Sequence, residues 1–101
     1  MTIPSRINGI AVVEIGDGAF YHCRSLKSVE IPGSVEVVGE YAFYECSVLE
    51  ELLLGAGIKK IEEDAFEDCS SLRRVFLPST IVWLPRNAFD QRVDLVAAND
   101  M

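Results

Sequence analysis

Leu26-Lys27-Ser28-Val29-Glu30-Ile31-Pro32-Gly33-Ser34-Val35-Glu36-Val37-Val38-Gly39-Glu40-Tyr41-Ala42-Phe43-Tyr44-Glu45-Cys46 decides the fold, because its apolar positions return 23 residues later. Ala-Phe recurs at Ala19-Phe20, Ala42-Phe43, Ala65-Phe66 and Ala88-Phe89 with that one spacing. Cys23, Cys46 and Cys69 share a column, as do Leu26, Leu49, Leu72 and Leu95. Val29, Leu52 and Val75 form another, followed by Ile31, Leu54 and Leu77. Val12, Val35, Ile58 and Ile81 come next, then Ile15, Val38, Ile61 and Leu84. A single unit cannot cover its own apolar face, whereas stacked copies bury a continuous core.

Local structure follows from spacing within the unit. Val29 and Ile31 alternate with period two, which places both on one face of a strand. Pro32 has no amide hydrogen and closes that strand; Pro78 and Gly55 stand at the same place in the other units. Ala42, Phe43 and Cys46 lie at i, i+1 and i+4, the spacing of a single helical turn. A 23-residue period falls within the leucine-rich range of about 20–29 residues and short of the roughly 33 of ankyrin repeats. The expected fold is an α/β-type leucine-rich-repeat solenoid, a right-handed superhelix. It is β-rich, with short parallel strands on the concave side and short helical turns opposite.

The fuller pattern, Leu-x-x-Val-x-Ile-Pro-x-x-Val-x-x-Val-Gly-x-x-Ala-Phe-x-x-Cys, resembles the BspA-like (treponemal-type) leucine-rich repeats. Ile3-Pro4-Ser5-Arg6-Ile7-Asn8-Gly9-Ile10-Ala11-Val12 is similar to the segment that often precedes such arrays. The resemblance runs from residue 3 to about residue 98. It implies a bacterial surface or secreted protein, many of whose relatives act in adhesion to host or other cells. The asparagine of better-known leucine-rich repeats is missing, with Ser34, Gly57 and Thr80 in its column, so no asparagine ladder is expected.

One domain is expected over residues 1–101. An opening segment takes about 1–11, repeats take 12–34, 35–57 and 58–80, and a partial repeat with an edge or cap takes 81–101. In that last unit Arg92 replaces the cysteine and Ala98 the β-branched core residue, and the chain is expected to end before its closing strand.

The formal charge of −7 argues against an electrostatic grip on nucleic acid, which needs clustered Lys and Arg. No apolar run approaches the roughly 20 residues that span a bilayer, so membrane insertion is not expected. The N-terminus shows no signal peptide, which leaves a cytoplasmic location open beside the surface or secreted one. Cysteines 23 residues apart are unlike paired zinc ligands and read as small buried hydrophobes. The acidic run Glu62-Glu63-Asp64 with Glu67 and Asp68 lacks the alternation and glycine of a calcium loop and reads as a solvated turn. His22 stands alone, and no nucleophile or phosphate loop is visible. No enzyme activity, cofactor or metal is expected.

The outward strand positions carry the functional reading. Ser28 and Glu30, Glu51 and Leu53, then Arg74 and Phe76 lie between the buried columns, and Trp83 stands on the flank beyond Val37 and Lys60. Exposed aromatic and apolar side chains on a rigid scaffold are common anchors of protein interfaces. Glu30, Glu51, Leu53, Arg74, Phe76 and Trp83 are therefore the candidate protein-binding residues. Two other readings compete: a structural spacer or unit that self-associates through its exposed solenoid ends, and a carbohydrate-binding module using Tyr21, Tyr41 and Tyr44. The concave footprint of about 250 Å2 is small beside the roughly 800 Å2 per partner of a standard interface. Useful affinity then calls for more repeats or several copies.

Overall fold

The computed structural model describes residues 1–85, 88–90 and 92–97. It opens with an antiparallel hairpin of β1 (Arg6–Ile7) and β2 (Ile10–Ala11). Asn8 and Gly9 turn it with φ of 53° and 80°. Two positive φ values suit the twist of a two-residue hairpin loop, and Asn-Gly reaches them at low cost.

Three sides of a coil then repeat. On the first, β4 (Ser28–Ile31), β6 (Glu51–Leu54), β8 (Arg74–Leu77) and β9 (Asp94–Ala97) form a parallel sheet in that order. The strands stop where Pro32, Gly55 and Pro78 follow them. On the second side, β3 (Glu14–Ile15), β5 (Val37–Val38) and β7 (Lys60–Ile61) make a parallel ladder that Trp83 extends through a bridge to Lys60. Residues 16–23, 39–46 and 62–69 form the third, turn side.

The expectation of helical turns there is corrected: the described residues contain no helix. Each turn segment carries two residues in the left-handed region, Gly18 and His22, Tyr41 and Glu45, then Asp64 and Asp68, with φ between 56° and 67°. A right-handed helix tolerates no such residues. Tight turns result instead, in which the amides of Ala42, Tyr44 and Cys46 donate to the carbonyls of Gly39, Tyr41 and Phe43. The intervening amides reach the next coil: Phe43 N–H donates to Ala65 C=O at 2.7 Å and Glu45 N–H to Glu67 C=O at 2.9 Å. Spacing of i, i+1 and i+4 fits both conformations, but inter-coil pairing satisfies backbone groups that a lone helical turn would leave open.

The core fills the space between the three sides. Val29, Val35, Val38, Ala42, Phe43, Cys46, Leu49 and Leu52 of the central coils have no exposed surface. The phenylalanines stack from coil to coil, Phe20 on Phe43 at 5.0 Å and Phe43 on Phe66 at 5.1 Å, with planes within 9°. The thiol column is a hydrogen-bonded one. Cys46 Sγ donates to Phe20 C=O at 3.3 Å and Cys69 Sγ to Phe43 C=O at 3.1 Å. All three cysteines are free. In the column without asparagine, the Thr80 hydroxyl donates to Ile58 C=O at 2.8 Å.

Close backbone approach fixes one corner. A Cβ on Gly57 would overlap the Gly33 carbonyl oxygen, and one on Gly55 would come within 2.5 Å of the Pro32 and Gly33 backbone. Ion pairs also follow the period: Glu36–Lys59 and Glu50–Arg73 are both 3.8 Å, and Glu51–Arg74 is 3.4 Å. These are exposed, so each contributes at most about 1 kcal/mol.

The fourth coil corrects two further expectations. It has a closing strand, β9, and its register is shorter than the others. Arg74 pairs with Asp94 and Val75 with Leu95, 20 residues on, where Glu51–Arg74 and Leu52–Val75 are 23 apart. Val93 N–H donates to Asp90 C=O as Leu72 N–H does to Cys69 C=O. Val93 thus takes the inward place expected for Leu95, and Leu95 is 52% exposed. Asp90 tightens this coil by accepting the Arg92 amide at 2.9 Å and its Nε at 3.1 Å. Those bonds hold the Asp90 carboxyl below its usual range. Ala98, expected to replace a core residue, lies outside the described residues.

Candidate protein-binding face

The four-stranded sheet presents two outward rows. Its alternation of exposed and buried residues, fixed by the period of two in each strand, turns Ser28, Glu51, Arg74 and Asp94 outward in one row. Glu30, Leu53, Phe76 and Val96 form the other. In the first row Arg74 Nη1 donates to Glu51 Oε2 at 3.4 Å, so opposite charges alternate along it. In the second, polarity declines from Glu30 to Leu53, 39% exposed, then to the half-buried Phe76 and Val96.

Glu30 is tied to the N-terminal end. Thr2 bridges to it along the sheet edge and donates its hydroxyl to Glu30 Oε1 at 3.1 Å. Glu30 N–H donates to Met1 C=O at 2.8 Å and Ile3 N–H to Glu30 C=O at 3.0 Å. Trp83 stands elsewhere. It is 50% exposed and belongs to the second ladder, in the row of Val37 and Lys60. The structure therefore brings Glu30, Glu51, Leu53, Arg74 and Phe76 together on one sheet and sets Trp83 on the adjoining side.

Sequence reading missed Val96, because the 23-residue period assigns a different residue to that row; only the shortened register reveals it. A shallow groove lined by Arg74, Phe76, Val93, Asp94, Leu95 and Val96 lies at this end of the sheet. Nothing in the face suits covalent chemistry. Cys46 and Cys69 are buried and Cys23 is half-buried on the turn side, away from this sheet face, and contact with Cys46 together with burial pushes the Cys69 thiol up. Among the described residues no cluster of His, Cys, Asp and Glu is arranged to hold a metal ion. No helix among them is long and apolar enough to cross a membrane.

Stacked coils with parallel strands, a phenylalanine ladder and an exposed strand face define a leucine-rich-repeat scaffold. The family model for the BspA type leucine rich repeat region matches residues 2–99 in six copies. The chain belongs to the BspA-type leucine-rich repeat family.

A leucine rich cell surface protein from Faecalibacterium prausnitzii is 27% identical with a TM-score of 0.62, over 95% of this chain and 31% of its own. A leucine-rich repeat protein from Bacteroides ovatus shares the fold at 24% identity and a TM-score of 0.67, over 96% of this chain and 33% of its own. The chain thus spans about a third of the length of these solved structures. A search of the curated proteins finds no match.

Proposed function

We propose that this chain is a non-catalytic protein-binding segment of a bacterial cell-surface leucine-rich-repeat array, of the adhesion type. Its partner docks on the sheet row of Leu53, Phe76 and Val96, with Glu30, Glu51 and Arg74 at the rim and Trp83 on the flank. The observation that carries this reading is the outward row itself, in which apolar side chains stand exposed on hydrogen-bonded strands. Likeness to a cell-surface protein of F. prausnitzii supports the location.

Size supports a segment over a self-sufficient receptor. Four strands of four residues cover about 13 by 14 Å, far below the roughly 800 Å2 that each partner of a standard interface contributes. Avidity from neighbouring repeats or several copies makes up the difference.

The test is binding of the chain, tetramerised through biotin on streptavidin, to cultured epithelial cells by flow cytometry. Leu53→Ser and Phe76→Ser should each remove most of the signal while far-UV circular dichroism stays unchanged. Unchanged binding by both folded variants would sink the proposal.

A second reading has its own observation. β9 ends the sheet order, and among the described residues no strand pairs with its outer edge. An open edge is a template for pairing with another copy. Sedimentation showing a strict monomer at high concentration would rule this out.

A further inference from the structure

The side of the coil opposite the sheets carries an aromatic cluster that stacking of the coils does not require. Tyr21 lies on Tyr44 with centroids 5.2 Å apart and planes within 9°, and Tyr41 meets Tyr44 edge-on at 5.4 Å. Tyr21 is 49% exposed and Tyr41 42%. Their columns read Gly18, Tyr41, Asp64 and Tyr21, Tyr44, Glu67, so the same backbone positions hold glycine or a carboxylate in other coils. Residues that hold the fold run through every coil, whereas the tyrosines are confined to the first two.

The charges are partitioned as well. On the sheet sides Lys59, Arg73 and Arg74 pair with Glu36, Glu50 and Glu51, and Lys60 reaches Glu62 at the start of a turn segment. Residues 16–23, 39–46 and 62–69 contain no Lys or Arg. Their one base, His22, is 3.2 Å from Glu45. The tyrosines are therefore edged by carboxylates without cationic partners from their own segments. Asp64 lies beside the Tyr41 hydroxyl and Asp68 beside the Tyr44 hydroxyl, so each phenol has a carboxylate neighbour.

We propose that this turn side is a second docking surface, for an arginine-bearing cationic polypeptide segment, separate from the sheet face. A guanidinium lies flat on a tyrosine ring while its N–H groups reach neighbouring carboxylates, a geometry that a lysine ammonium does not match. A neutral glycan would also stack on the rings. It gains nothing, however, from the surrounding negative field.

The experiment is a titration of the 15N-labelled chain, followed by amide shifts. The probes are a peptide of alternating Arg and Gly, the same peptide with Lys for Arg, a neutral chitin oligosaccharide, and calcium chloride. The arginine peptide should move the amides of Tyr21, Tyr41, Tyr44, Glu45, Asp64 and Asp68 and bind roughly threefold tighter than the lysine peptide. Tyr21→Ser should weaken it about tenfold, as loss of a ring anchor does. Asp68→Asn, at an exposed position, should weaken it less. Equal affinity for both peptides with no effect of Tyr21→Ser would overturn the proposal in favour of charge alone. Shifts centred on Leu53 and Phe76 would also overturn it, as would stronger shifts of the turn amides by the oligosaccharide or by calcium.

Discussion

The first and last described coils of this chain are built differently. At the N-terminal end Met1, Thr2 and Ile3 pair with Ser28 and Glu30 along the edge of the sheet, and Ile3 is buried beneath them at 6% exposure. At the C-terminal end the coil shortens, β9 pairs out of the 23-residue period, and Leu95 is left at the surface. The phenylalanine ladder registers the same change: Phe66 and Phe89 are tilted by 32°, where the earlier pairs are nearly coplanar. Strict periodicity thus marks the part of the chain that supplies stability. Where the period slips, Leu95 keeps the inward register of Val75 yet stands open at the last described coil, next to the Phe76 end of the proposed binding row.

The phenylalanine ladder gives the harshest test of that contrast. Phe43 has no exposed surface and is stacked on both sides, so Phe43→Ala should cost about 3–5 kcal/mol in urea denaturation, as buried aromatic truncations do. Phe89 is half-buried with one tilted neighbour, and Phe89→Ala should cost well under half of that. Equal losses would show that the fourth coil is as tightly integrated as the second.

The thiol column sharpens the comparison at the boundary, because Cys69 is its last member before Arg92. Contact with Cys46 and burial raise the Cys69 thiol above its ordinary value of 9.0. The folded chain therefore keeps a proton that the unfolded chain loses. The thiol's contribution is full below pH 9 and falls as pH rises beyond it, since the unfolded state then binds fewer protons. Cys69→Ala should lower stability by about 1 kcal/mol at pH 7, through the lost hydrogen bond to Phe43 and lost packing, and should flatten the decline above pH 9. An unchanged alkaline slope in the variant would remove Cys69 from this account.

Much of this architecture is legible in the residues. Strand ends follow from Pro32, Gly55 and Pro78, and the inward columns from apolar residues at one spacing. The turn side was harder to read, since Ala42, Phe43 and Cys46 fit either a helical turn or two tight turns. A signal was present in the columns Gly18, Tyr41, Asp64 and His22, Glu45, Asp68, because glycine and aspartate are among the residues that best tolerate positive φ. The shortened fourth coil could not be found by period counting. Ala88-Phe89 and Leu95 keep the 23-residue spacing, while the register is set by hydrogen bonds at Asp90, Arg92 and Val93. For the candidate face, the rows of Leu53 and Phe76 were readable from alternation. Val96 depended on that register, and the position of Trp83 on another side depended on how the coil turns after Leu77.

The smallest expected effect tests the slip most directly. On the 23-residue period Leu95 would share the column of Leu49, and its loss would open a cavity. In the observed register it lies opposite Val75 on β9 and is half exposed. Leu95→Ser should then change stability by no more than about 0.5 kcal/mol, the range of ordinary surface substitutions. Val93 packs against the core in its place, so Val93→Ser should cost more, about 1–2 kcal/mol for a half-buried apolar side chain. Paired urea denaturations of the two variants decide which residue packs against the core. A larger loss for Leu95→Ser than for Val93→Ser would restore the unbroken period and remove Val96 from the binding row.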